Sequence, residues 1–189
     1  MKISLLLAFL CAGITAAVAA TLKTRELKIA LSDTREVILA VPDGFALVTG
    51  RDPSGLIGAK LSDPDATVTL DLQFIPDPEG RFASARSRAE LMHEMFVDYV
   101  GDSTEEAMQF EELEPQVGEG TYCVFTDKNL LGKTDLPPGE YLHLTTGVKA
   151  WPGVAAVFRC FSNDTKSPGY QAIITLLRDS VHEKPAPLK

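Results

Sequence analysis

Cysteine and histidine are the residues of this chain that could supply a nucleophile, a base or a metal ligand. Zinc sites bring such residues together at short spacings along the chain. Here the six candidates are scattered, and the two cysteines of the C-terminal half lie far apart. They are Cys11, His93, Cys123, His143, Cys160 and His182. The spacing predicts no metal site, and no motif for a cofactor accompanies it.

Cys123 and Cys160 support two exclusive predictions. In an oxidising compartment an even number of cysteines favours a disulfide. In the chain-entropy model this disulfide would stabilise the folded protein by roughly 4 kcal/mol. If the strands that carry them formed a plain meander, the cysteines would lie about 9.6 Å apart. A disulfide tolerates only about 7 Å between Cα atoms, so the bond requires neighbouring strands or strand ends. A reduced Cys123 beside His143 would instead supply the thiol and base of a hydrolase.

The first twenty residues have the pattern of a secretory signal peptide. Lys2 supplies the positive charge, residues 5–18 are mostly apolar, and Ala17-Val18-Ala19 is a small-x-small cleavage site. Cleavage would remove Cys11, which follows Leu10 and so lacks the small preceding residue of a lipoprotein site. The apolar run is shorter than the roughly 20 residues of a membrane-spanning helix. We therefore expect a periplasmic or secreted protein with no transmembrane segment in its mature chain.

The charge and length of the chain narrow the range of partners. The formal net charge is −8, and no run of Lys and Arg offers the electrostatic footprint that phosphate binding requires. We therefore expect no nucleic acid partner. Residues 21–183 have the length of one domain, and the proline-rich residues 184–189 are expected to form a disordered tail.

Alternation of apolar and polar residues predicts an antiparallel sheet. Over residues 67–74 every second side chain is apolar, which indicates a strand with one buried and one solvated face. Pro76 and Pro78 are expected to end this strand. Turn residues flank the other extended segments, and Trp151 lies in the Trp151-Pro152-Gly153 turn, where burial is favoured over exposure. Further strands are predicted at 22–31, 35–41, 45–49, 120–126, 141–149 and 154–161.

Two amphipathic segments are expected to form helices. Ser87 and Glu90 have the spacing of a capping box, and apolar residues then repeat at helical spacing as far as Gly101. Arg88 is expected on the polar face of this helix. Ser167-Pro168 begins a second helix that is expected to extend to Val181. Strands and helices in this order predict an α+β fold, with an antiparallel β-sheet and helices packed on its faces.

Several short segments resemble the PsbP-like fold group. They are Val41-Pro42-Asp43-Gly44-Phe45, Gly118 with Gly120, and Leu176-Leu177-Arg178-Asp179-Ser180-Val181. The group includes the extrinsic photosystem subunit, a Ran-binding nuclear transport factor and bacterial envelope proteins. The resemblance implies a PsbP-like sandwich and a role in binding or assembly. It implies no catalytic residue, because the group shares none.

Residues 127–140 form an unusually long connection between two predicted strands. Hairpin loops usually need about two to five residues, and structureless loops beyond roughly 12 are often functional. This loop combines leucines with lysines in an acidic chain, so it is predicted to contact a partner. The alternative is that its leucines fold back over the sheet edge. The predicted partner-binding residues are Lys128, Leu130, Leu131, Lys133 and Leu136.

Together these features favour a non-enzymatic exported protein that binds a macromolecular partner, expected to be a protein, in the cell envelope. An immunity protein or an inhibitor of a toxin or hydrolase is a more specific alternative. A thiol-dependent hydrolase using Cys123 is the second alternative.

Overall fold

The computed structural model describes residues 23–33, 35–115, 117–180 and 182–185. The predicted signal peptide lies outside these residues. Strands and helices alternate in blocks along the described chain. The strands are β1 (Thr24–Ser32), β2 (Arg35–Pro42), β3 (Ala46–Arg51), β4 (Ile57–Ser62), β5 (Val68–Asp77), β6 (Glu111–Glu112), β7 (Glu119–Thr126), β8 (His143–Trp151), β9 (Gly153–Ser162) and β10 (His182–Pro185). The α-helices are α1 (Ala85–Phe96) and α2 (Pro168–Thr175); a 3₁₀ helix (Val97–Asp102) follows α1 and a π-helical segment (Leu176–Ser180) follows α2.

Seven strands form one large antiparallel sheet in the order β3-β4-β5-β9-β8-β7-β6. β7, β8 and β9 are a meander, and β5 joins them by pairing along the whole length of β9. In β5 the alternating apolar residues Leu70, Leu72 and Phe74 lie on the same face of the sheet and are buried in one core. The predicted strand is confirmed, although it continues through Pro76 to Asp77.

A small antiparallel sheet, β1-β2-β10, and helix α2 lie over one face of the large sheet. Val37 and Leu39 of β2 and Ile173 of α2 share a core with the inward side chains of β4, β5 and β9. Trp151 belongs to this core and is buried, as predicted. The burial of these aliphatic side chains supplies the main stabilisation of the layer.

Helix α1 lies on the opposite face of the large sheet. Its Met92 and Phe96 pack with Cys123, Phe125 and other residues of β7, β8 and β9 in a second core. The sheet therefore separates two apolar cores, one under α1 and one under α2 with the small sheet. This arrangement confirms the predicted α+β class, with an antiparallel sheet and helices packed on its faces.

The structure corrects the predicted exposure of Arg88. This side chain is buried rather than solvated, and it joins the start of α1 to the sheet. Its Nε donates to Thr121 Oγ1 at 2.9 Å, its Nη1 donates to the Ala83 carbonyl at 3.0 Å, and Glu112 lies 3.3 Å from Nη2. A guanidinium tolerates burial when its donors are satisfied in this way.

The C-terminal prediction is also corrected. The helix beginning after Ser167 changes to π-helical geometry at Leu176, and the chain then extends along β2. Lys184 pairs with Glu36 and Pro185 with Arg35, so these two residues lie in a strand and not in a disordered tail. In the part of the chain that the structure describes, no helix is long and apolar enough to span a membrane.

Candidate binding groove

Part of the large sheet's α1 face is left open, because α1 packs on β7 and β8 and leaves a concavity over β3 and β4. Lys60 of β4, Asp71 of β5 and Arg159 of β9 form one row across this open face, since the strand register pairs them directly. Asp71 lies between the two cations, with its carboxylate oxygens 3.6 Å from Lys60 Nζ and 3.8 Å from Arg159 Nη2. The row holds one more positive than negative charge in a strongly acidic chain.

Aromatic side chains form one end of this open face. Tyr99, in the 3₁₀ helix after α1, contacts Phe125 with ring centroids 5.9 Å apart. Tyr141 and Phe161 form a second tilted pair at 5.5 Å. The Tyr141 hydroxyl donates to the carbonyl of Ala66 at 3.0 Å, which fixes the ring at the rim. Aromatic rings held in this way present apolar surface at a low entropic cost on binding.

The open face contains two adjoining concavities. One has a volume of about 820 Å³ and lies between the 3₁₀ helix and the loop of residues 127–142. The other, of about 540 Å³, lies over β3 and β4. Both are bordered by Lys60, Asp71 and Tyr99, so they form one groove. We refer to the two concavities together as the open-face groove.

The loop that the sequence predicts as a partner surface forms one wall of the groove. Lys128 anchors it, because its Nζ donates to the carbonyl of Gly101 and its backbone N–H to that of Asp102. The carbonyl of Leu142 accepts from Asp127 N at 2.9 Å, which closes the base of the loop. This wall is therefore tied to the 3₁₀ helix at one end and to the β7–β8 hairpin at the other.

The five predicted partner-binding residues do not share one environment. Leu130 is buried and lines the groove, and Leu136 is half-buried. Leu131 is 61% exposed, and Lys133 is exposed on the groove wall. Lys128 is used in anchoring the loop. The structure thus leaves Leu131 and Lys133 available for contact with a partner.

The predicted disulfide is wrong. Cys123 and Cys160 are free, buried thiols. Cys123 pairs with Thr146 and Cys160 pairs with Thr145, so the cysteines lie two strands apart. Because successive residues of a strand point to opposite faces, the two thiols also lie in different cores. Burial raises the pKa of both, that of Cys160 to about 12.

Cys123 and His143 do not form a thiol–imidazole pair. His143 lies opposite Thr126, while Cys123 lies three residues earlier in β7, so the register directs their side chains to opposite faces. Thr126 Oγ1 is the hydrogen-bond neighbour of His143 Nδ1, at 3.2 Å. Burial lowers the pKa of His143, although Glu105 and Asp164 oppose this effect.

Sequence reasoning missed the charged row and Tyr99 as members of one site. Asp71 was recognisable as the solvated side of β5, but β4 was not predicted at all, so Lys60 had no assigned place. Residues 51–58 contain Pro53, Gly55 and Gly58, which are typical of turns, so the sequence gives no clear signal for the strand that begins at Ile57. Alternation in residues 57–61, whose odd-numbered side chains are buried, is the signal that could have revealed β4.

Comparison of the chain with protein families, with curated proteins and with solved structures finds no match.

Proposed function

We propose that this is a non-enzymatic, exported protein that binds a macromolecular partner in the cell envelope through the open-face groove. The observation that supports the proposal is that exposed apolar side chains cluster at this groove. Among the described residues, seven large hydrophobic side chains are exposed, and Val48, Met95 and Tyr99 border the groove. Leu131 adds a fourth on the loop that forms its wall. Clustered exposed apolar side chains mark interaction sites, whereas scattered ones do not.

The shape of the groove supports a macromolecular partner over a small ligand. Small-molecule sites bury most of their ligand in an enclosed cavity. Here the groove is open, and its exposed apolar side chains come from three separate elements, with Val48 in β3, Met95 in α1 and Tyr99 in the 3₁₀ helix. Exposed Met95 and Tyr99 and the guanidinium of Arg159 lie together in this groove, and Met, aromatic and Arg side chains are enriched in protein–protein interfaces.

Three further considerations support the proposal. The thiol of Cys123 and the imidazole of His143 are not brought together, so the thiol-dependent hydrolase lacks support. The signal peptide pattern of the first twenty residues supports export from the cytoplasm. The resemblance to the PsbP-like fold group, which stays a prediction, implies the same kind of role. An immunity protein or inhibitor would be one specific case of this proposal.

Site-specific photo-crosslinking in the exporting cell tests the proposal. We expect a photoreactive amino acid at Tyr99 or Leu131 to capture the same protein, because Tyr99 is exposed in the groove and Leu131 is exposed on the loop that forms its wall. The matched controls place it at Lys28 of β1 and at Glu94, an exposed residue of α1 that does not border the groove. Equal capture from the control positions, or no capture from the groove positions, would contradict the proposed function.

A further inference from the structure

Four strands lie at sheet edges in the described chain: β1 and β10 in the small sheet, and β3 and β6 in the large one. An edge strand presents backbone N–H and C=O groups that can pair with another chain. Natural proteins protect such edges with charged side chains, proline or very short strands. Whether each edge carries this protection therefore indicates which one is available for pairing.

Three of the four edges carry such protection. β6 consists only of Glu111 and Glu112. β10 contains two charged residues and ends at Pro185, and β1 contains the charged residues Arg25, Glu26 and Lys28. β3 differs, because its first five residues carry no charge and no proline. Val48 at its centre is 68% exposed, the most exposed large hydrophobic side chain in the described part of the molecule.

We propose that β3 is a docking edge, on which an extended segment of the partner protein adds as an eighth strand of the large sheet. The inference rests on the proposed function and gives the partner's mode of binding. β3 borders the open-face groove through Val48, Thr49 and Gly50. An added strand would therefore form main-chain hydrogen bonds with the unpaired backbone groups of β3. Every second side chain of that strand would lie on the same face of the sheet as the groove.

The positive charges around β3 define the chemistry of that segment. Arg25 donates to the carbonyl of Phe45 at 2.7 Å, at the start of the strand. Arg51 ends the strand and donates from Nη1 to the carbonyl of Gly55 at 2.9 Å, which leaves its charge in place. Lys60, which pairs with Asp71, lies directly across from Val48. Cations thus lie at both ends of β3 and beside its centre. They favour an acidic segment with an aliphatic side chain next to Val48.

The acidic residues nearby are less available for binding. The Asp52 carboxylate already accepts from Ser54 Oγ at 2.6 Å, Leu56 N at 3.0 Å and Gln73 Nε2 at 2.7 Å. Asp71 lies between Lys60 and Arg159. Asp43, in the turn before β3, is exposed and would favour a basic residue at that one point. Within β3 itself the one charged residue is the cation Arg51.

A second copy of this chain fits the edge less well. Antiparallel pairing of two β3 strands about Val48 would place Arg51 of each copy across from Phe45 of the other. Arg25 already occupies that position, so two guanidinium groups would approach each other. Like charges placed in this way are destabilising, whereas an acidic segment would meet the same guanidinium groups with favourable charge. The edge therefore suits a segment of a different protein better than a second copy of this chain.

Synthetic peptides test this mode of binding. The probes are fluorescent, end-capped heptapeptides that alternate Glu and Val, with a Lys and Val peptide as the charge control. Fluorescence anisotropy should show saturable binding of the acidic peptide and at least tenfold weaker binding of the basic one. Val48→Asp should weaken acidic-peptide binding at least tenfold. Val117→Asp, at another exposed valine outside the groove, should leave it unchanged.

Two N-methylated versions of the acidic peptide separate strand pairing from side-chain docking. Because only alternate residues of an added strand bond to the edge, methylation of one alternate set should abolish binding and methylation of the other should preserve it. Equal affinities for the two methylated peptides, no binding of the acidic peptide, or dimerisation of the protein that Val48→Asp abolishes would each overturn the inference. Crosslinks at Tyr99 and Leu131 would still support the proposed function in those cases.

Discussion

At the scale of single residues, the buried Lys149 shows how this fold uses a cation inside its core. Lys149 Nζ donates to the carbonyls of Leu177 and Arg178, each at 2.9 Å. These carbonyls belong to the end of a helical segment, where acceptors have no partner within the helix. A cation at this point also interacts favourably with the helix dipole. Lys149 therefore attaches the C-terminal helical segment to β8.

The pKa of Lys149 leads to a prediction about stability and pH. Burial lowers this pKa from 10.5 to about 8, although Asp179 opposes the shift. Between these two values the unfolded chain binds more protons than the folded chain, so the lysine's contribution to stability rises with pH. From pH 7 to pH 10 the wild type should gain about 2 kcal/mol in free energy of unfolding relative to Lys149→Met. Urea denaturation of both proteins at the two pH values measures this difference.

Leu177→Met is the control for that experiment, because it keeps Lys149 and changes the volume of the adjacent core little. Its pH dependence should match that of the wild type. A difference between wild type and Lys149→Met that stays constant from pH 7 to pH 10 would contradict the assigned pKa.

At the scale of elements, the start of α1 differs from the start that the local sequence pattern predicts. The sequence predicts a capping box from Ser87 to Glu90. In the structure the helix begins at Ala85, and Ser84 Oγ accepts from Ser87 N at 3.1 Å. Glu90 does not reach back to the cap, since it pairs with Arg86 at 2.8 Å. The cap therefore lies three residues earlier than predicted, where Arg88 also fixes the first turn to the sheet.

Serine substitutions test this cap. Ser84→Ala should lower the free energy of unfolding by about 1 kcal/mol, because the first turn loses an acceptor for its free N–H groups. Ser167→Ala should have a similar effect, since Ser167 Oγ accepts from Tyr170 N at the start of α2. Ser87→Ala should cost less than either. Urea denaturation measures the free energy of unfolding of all three variants. A larger decrease for Ser87→Ala than for Ser84→Ala would indicate that Ser87 is the N-cap.

At the scale of the whole molecule, the large sheet acts as a partition between two cores. Helix α1 closes one core, and α2 with the small sheet closes the other. Each cysteine is confined to its own side, Cys123 under α1 and Cys160 under α2. The stability of the protein therefore depends on packing on both faces and not on a covalent link between them.

Thiol titration tests this partition. Mature protein denatured without reductant should show two free thiols per chain, and adding reductant should not change the melting temperature of the native protein. In the native state both thiols should react slowly, because burial raises their pKa values and excludes the reagent. Fewer than two thiols in the denatured, non-reduced protein would contradict the strand register that keeps Cys123 and Cys160 apart.

Features that depend on local periodicity can be predicted from the sequence alone. The alternation at Leu70, Leu72 and Phe74 was enough to predict β5 and its buried face, because a strand turns every second side chain to the same side. The apolar spacing of Met92 and Phe96 was enough to predict α1, because a helix gathers such residues on one face. The α+β class follows from the order of these elements.

Which distant residues come into contact depends on the tertiary structure and cannot be predicted from local pattern. The row of Lys60, Asp71 and Arg159 exists because three strands align in one register, and nothing local to any one strand specifies that register. The same register separates Cys123 from Cys160, although their residue types favoured a bond. Both results depend on backbone pairing between segments far apart in the chain, and a local pattern carries no information about that pairing.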